Sequence, residues 1–147
     1  MAGVNIGMDA IGATSTSPRH ELGQRAEVGG NVFRYVYHTG TVTLSQYYPA
    51  QMAATNKYYV ADTGADLDNK LVMGIAATDI APSEYGWVCI GGVYLARFSA
   101  SHETTGSPVQ GGGTFLTVVS ATADKPLGFT LGVSTAAGNV PVYLRME

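Results

Sequence analysis

Glycines and short polar turns cut this chain into brief runs of β-branched and aromatic residues, and that cadence leaves little but sheet for it to form. The runs are Val32–Tyr37 behind Gly29-Gly30, Thr41–Leu44, and Lys57–Ala61 closed by Asp62-Thr63-Gly64. Leu71–Ala76, Gly86–Ile90 and Val93–Phe98 follow, the last after Gly91-Gly92. Thr114–Val119 comes after Gly111, Gly112 and Gly113, and the final runs are Gly128–Val133 and Val140–Arg145. Such side chains suit a pleated, half-buried surface. The spacing predicts about eight or nine short strands, and no stretch sustains a helical apolar period. Gln46–Asn56 has room for one helical turn at most, because Pro49 interrupts it. The expected fold is all-β, a small β-barrel or β-sandwich of about eight strands. A faint internal echo runs through it: Val72–Ala76 leads to Tyr85–Val88 much as Pro126–Val133 leads to Val140–Tyr143.

Composition narrows the class. The chain has 147 residues, the length of one domain that can bury a real core. Charged residues are 13% and aromatics 10%, which excludes a disordered polymer. Eight Lys+Arg are scattered and the net charge is −3, so no basic patch for nucleic acid is expected. A single cysteine excludes an intrachain disulfide framework. No apolar window reaches the roughly 18 residues of a membrane span. The start, Met1-Ala2-Gly3-Val4-Asn5, lacks a basic and an apolar region, so no secretory signal is expected and synthesis in a cytoplasm is.

Residues 1–31 differ from residues 32–147. Met1–Pro18 is small, Gly-rich and nearly uncharged, and Arg19, His20, Glu21, Arg25 and Glu27 then bring charge together. The expectation is an extended, partner-binding N-terminal arm ahead of a β body. Val4, Ile6 and Met8 alternate as one-sided strand addition requires.

Signals for chemistry are thin. His20, His38 and His102 are far apart and read as solvated loop or strand-end residues, and no paired metal-ligand spacing occurs. No metal and no cofactor are expected. Cys89 sits between Val88 and Ile90 and reads as a buried, inert thiol. No G-x-S-x-G elbow exists, and the triple glycine lacks the lysine of a phosphate loop, so it reads as a hairpin connection. Asp62-Thr63-Gly64 after an apolar strand resembles the signature of retroviral-type aspartic proteases, in which paired carboxylates activate water. The late apolar-apolar-Gly segment of that family is missing, and Asp-Thr-Gly is also ordinary turn chemistry. Asp62, Asp66, Asp68 and Asn69 do not fit an EF-hand and read as a solvated loop.

A different resemblance covers more of the chain. His20–Arg25 leads into Gly29–Val36, and a Gly74-Ile75-Ala76 segment precedes Tyr85-Gly86-Trp87-Val88. Together these resemble the small decoration (cement) and head-associated proteins of tailed bacteriophages. The resemblance implies a small β fold, commonly a homotrimer, on the outside of the virion, clamping subunits of the major capsid protein without turning anything over. On that reading Val4, Ile6, Met8, Ile11, Arg19 and His20 are the capsid-binding arm residues. Tyr85, Trp87, Tyr94 and Tyr143 are the candidate subunit interface, since large aromatics dominate contact energetics. The alternatives are a phage fibre or knob protein that binds a host surface, a carbohydrate-binding module using exposed Tyr and Trp, and the aspartic protease centred on Asp62.

Overall fold

The computed structural model describes residues 8–53, 56–61, 72–98, 105–106, 108–112, 115–118, 127–132 and 138–146. A single helical turn, α1 (Met8–Ile11), precedes ten strands. They are β1 (Arg25–Val28), β2 (Asn31–His38), β3 (Pro49–Ala53), β4 (Asn56–Ala61), β5 (Val72–Ala76), β6 (Tyr85–Phe98), β7 (Pro108–Gly112), β8 (Phe115–Val118), β9 (Gly128–Thr130) and β10 (Gly138–Arg145). The all-β expectation holds.

The pairings close two five-stranded rings that share β6. In the first ring β2 runs parallel to β4, β4 pairs with β3, β3 with β5, β5 with β6, and β6 returns to β2. In the second, β6 runs parallel to β8, β8 pairs with β7, β7 with β9, β9 with β10, and β10 returns to β6. All pairs but β2–β4 and β6–β8 are antiparallel, so the two rings have the same topology. Closing a ring removes the strand edges on which β proteins aggregate.

The likeness extends to register. Tyr35↔Trp87 and Val36↔Gly86 in the first ring correspond to Leu95↔Pro141 and Val140↔Ala96 in the second. Ile75↔Cys89 corresponds to Phe129↔Tyr143, and Pro49↔Ile75 to Pro108↔Phe129. The loops agree as well: Ala77 N–H donates to Trp87 O, and Leu131 N–H donates to Pro141 O. The faint echo in the sequence is thus the visible part of a whole repeated unit.

Two apolar clusters fill the fold. One comprises Val36, Leu44, Ala50, Val60, Ala76, Ile80, Val88 and Ile90, and belongs to the first ring and its loops. The other joins Ala96, Phe98, Val109, Val140, Val142 and Leu144 of the second ring to Phe33, Tyr35, Ile75, Trp87 and Cys89 of the first.

Three sequence expectations are corrected here. Gly86–Ile90 and Val93–Phe98 are one continuous strand, because Gly92, at φ 93°, bends β6 where a side chain could not follow without ending it. Pro49 does not interrupt a helical turn; it opens β3, a strand position that needs no N–H. Thr41–Leu44 is not a strand, and only Leu44 bridges, to Ile80.

A fourth difference, of wider reach, concerns the arm. Among the described residues of 1–31, the chain lies on its own body. Ser15 and Tyr85 exchange backbone hydrogen bonds of 3.2 and 2.8 Å, and Gly23 N–H donates to Tyr35 O at 2.8 Å. Strand β1 pairs with β2 along its whole length, and Ile11 and Ala26 are buried in the second cluster. Residues 11–31 therefore form a strap across the first ring. Burial of Ile11 and of the β1 ladder is what holds the strap down.

Candidate interaction surface

The strap presses on an aromatic row. Tyr35↔Trp87 and Tyr37↔Tyr85 are direct cross-strand partners on β2 and β6, so their rings share one face. Tyr35 and Trp87 have centroids 5.0 Å apart, and Tyr37 and Tyr85 are at 4.7 Å. His20 stands edge-on to both Tyr35, at 5.1 Å, and Trp87, at 5.2 Å. Arg19 N–H donates to the Tyr35 hydroxyl at 3.1 Å. A small cleft remains under the strap, walled by Ser15, Arg19, His20, Tyr35 and Trp87.

The predicted residues therefore scatter. Val4 and Ile6 lie outside the described residues. Met8 is in a helical turn, which breaks the alternation expected of an added strand. Ile11 is buried and His20 is half-buried, both against the chain's own body. Arg19 keeps an exposed side chain. Trp87 is 1% exposed, a core residue rather than an interface residue, and it offers no stacking face to a glycan. Tyr85 and Tyr94 are half-buried against the core cluster, and Tyr94 meets Phe33 edge-on at 5.8 Å. Only Tyr143 stands out, at 46% exposure.

Tyr143 does not stand alone. The exposed large apolar residues among those described are Val42, Val93, Leu95, Leu131 and Tyr143, and four of the five share one face. Val93 is the cross-strand partner of Tyr143, Leu95 of Pro141, and Leu131 bonds to Pro141 from the neighbouring side. Opposed residues point to the same side of a sheet. Val93, Leu95 and Leu131 were not singled out from the sequence. The signal was there: Val93–Phe98 is apolar at odd and even positions alike, as a strand needing cover on both faces would be.

Reactive chemistry gains no support from these residues. Burial pushes the Cys89 thiol up to about 12, so it stays protonated and unreactive. His38 is not solvated, as expected, but fully buried. With its proton on Nε2 it donates to Val42 O at 2.6 Å, and Nδ1 accepts from Gly40 N–H at 3.3 Å. No cluster of metal-ligating side chains occurs among the described residues. Asp62, Asp66, Asp68, Asn69 and His102 lie outside them.

No protein-family model matches the chain, and no curated protein does. One solved structure decides the fold comparison. The chain shares its fold with a bacteriophage head protein. That structure is the head fiber gp8.5 N base of bacteriophage phi29, matched with a TM-score of 0.57 at 8% sequence identity. The match covers 78% of this chain and 96% of the phi29 base. A head-associated phage protein is thus a structural neighbour, as the residues of the sequence suggested. At 8% identity the likeness lies in the fold, not in shared side chains.

Proposed function

We propose that the chain is a head-associated structural protein of a tailed bacteriophage, a decoration protein bound to the outside of the capsid as a homotrimer. The observation that carries this reading is the fold match over nearly the whole phi29 head fiber base. The surface agrees with it: a rigid pair of closed rings, an apolar face around Tyr143, and a buried, unreactive thiol. Its work is adhesion. Contacts to the major capsid protein add to the free-energy cost of pulling neighbouring capsid subunits apart, and repeated contacts in a trimer multiply a weak affinity. It turns over no substrate and needs no cofactor.

A second reading draws on the same neighbour. Because the matched structure is a fiber base, the chain can serve as the anchoring base of a longer head fibre rather than as a cement. Both readings require binding to heads. The test is co-sedimentation of the purified chain with heads of its own phage that lack it. Saturable binding at a fixed number of sites per head supports both, and recovery of all of the chain in the supernatant overturns both. A fibre partner that then binds the decorated heads selects the second.

A further inference from the structure

The cleft beneath the strap has a volume of about 70 Å³, room for a small chemical group rather than for a whole sugar. The polar side chains that wall it have protons to give. The Tyr35 hydroxyl accepts Arg19 N–H at 3.1 Å, so its own proton remains for another acceptor. Trp87 is 1% exposed, and no described group accepts its indole N–H. The Arg19 guanidinium is exposed and has no ion pair among the described residues. His20 stands edge-on to both rings and adds a further N–H. No Asp or Glu is among the described residues that line the cleft. Donors converge there without an acceptor, and a buried donor left unmet costs free energy.

The repeat shows that the fold does not require these donors. Tyr35 and Trp87 correspond to Leu95 and Pro141 of the second ring, which fill the same ladder position with no side-chain hydrogen-bonding group at all. The donor set therefore belongs to the first ring and its strap, beyond what closing a ring demands.

The walls also select among anions. Ala10 and Ala13 contribute methyl groups, and Tyr35, Trp87 and His20 contribute ring surface, so the cleft suits a small flat anion with carbon behind it. A guanidinium matches a carboxylate with two parallel bonds. One fixed positive charge balances a monoanion, whereas a phosphate dianion would leave charge uncompensated in a partly closed site.

We propose that the cleft under the strap binds a carboxylate, paired with the Arg19 guanidinium and accepting from Tyr35 O–H and Trp87 N–H. A small free acid and an Asp or Glu side chain of a partner protein present the same group. This goes beyond head association and does not depend on it.

Trp87, the single tryptophan, reports on the site directly. Its emission in the full chain is titrated with sodium acetate, against sodium chloride at equal ionic strength. A saturable shift with acetate and none with chloride is expected. Arg19→Gln is expected to raise the acetate dissociation constant at least about tenfold, and Tyr35→Phe at least about threefold. Arg19→Gln, at an exposed site, decides the matter if circular dichroism shows that Tyr35→Phe disturbs the sheet. The blocked peptide acetyl-Gly-Glu-Gly-amide, beside its Gln counterpart, separates the sources. Glu peptide binding as tight as that of acetate assigns the site to a partner's side chain, and binding of acetate alone assigns it to a small free acid. A response that fails to saturate, equals that to chloride or survives Arg19→Gln overturns the proposal and leaves the cleft to water. Inorganic phosphate binding more tightly than acetate overturns the choice of carboxylate.

Discussion

Gly74 and Gly128 occupy the same place in the two rings, each with its Cα against the carbonyl of the next strand. A Cβ on Gly74 would lie 2.8 Å from Cys89 O, and one on Gly128 would collide with Tyr143 O, the corresponding atom. Strands β5 and β9 can approach β6 and β10 this closely only because no side chain intervenes. Gly74→Ala and Gly128→Ala are each expected to cost about 1–3 kcal/mol by overpacking. Urea midpoints check this, and each change should lower the midpoint without altering the slope.

His38 and Phe98 are another such pair, ending the first strand of each ring and both fully buried. The second ring solves the site with an apolar ring, the first with an imidazole bonded to Val42 O. His38→Ala is expected to lose about 2–4 kcal/mol, from the vacated volume and the lost hydrogen bonds. His38→Phe, which imitates the other ring, is expected to retain more stability than His38→Ala. Thermal unfolding of the two variants side by side measures the order.

The strap makes Trp87 a reporter. It is the single tryptophan, and His20 and Tyr35 enclose it. His20→Ala removes two edge-on contacts, worth about 0.5–1.5 kcal/mol each. The expected result is a red-shifted Trp87 emission and faster proteolysis within residues 12–24, with the sheet intact by circular dichroism. An unchanged emission would mean that the strap does not shield Trp87.

Alkaline pH should loosen the fold. Burial raises the Cys89 thiol from 9.0 to about 12, and Tyr94 from 10.0 to about 12. Each folded group then holds its proton at pH values where the unfolded chain has released it. Stability is full below about pH 9 and falls as pH rises toward 12. Cys89→Ala should flatten the earlier part of that decline, read from urea midpoints at successive pH values. At pH 8 a thiol reagent should label Cys89 only after unfolding.

Much of the sheet was legible in the sequence. Val32–Tyr37, Lys57–Ala61 and Leu71–Ala76 announce strands because β-branched and aromatic runs end at glycine or aspartate. What was illegible is non-local. The parallel pairs Tyr37↔Tyr59 and Phe98↔Leu116, which close the rings, join strands with another strand between them in the chain and leave no periodic trace. The repeat hid because its equivalent sites carry different residues, Trp87 against Pro141 and His38 against Phe98, while the backbone register persists. The strap has the sequence of an arm because it is small and polar. Its hold comes from Ile11, His20 and main-chain bonds to Tyr35 and Tyr85, which only the fold brings near. Tyr143 was singled out as a large aromatic, and its neighbours Val93, Leu95 and Leu131 became visible only once β6, β9 and β10 lay side by side.

The most direct test of the central claim, that this chain works by holding a phage head together, is the temperature at which filled heads lacking it release their DNA, measured before and after adding the purified chain. The account predicts a higher release temperature that saturates as the chain fills its sites. An unchanged release temperature, with the chain remaining unbound in solution, would contradict it.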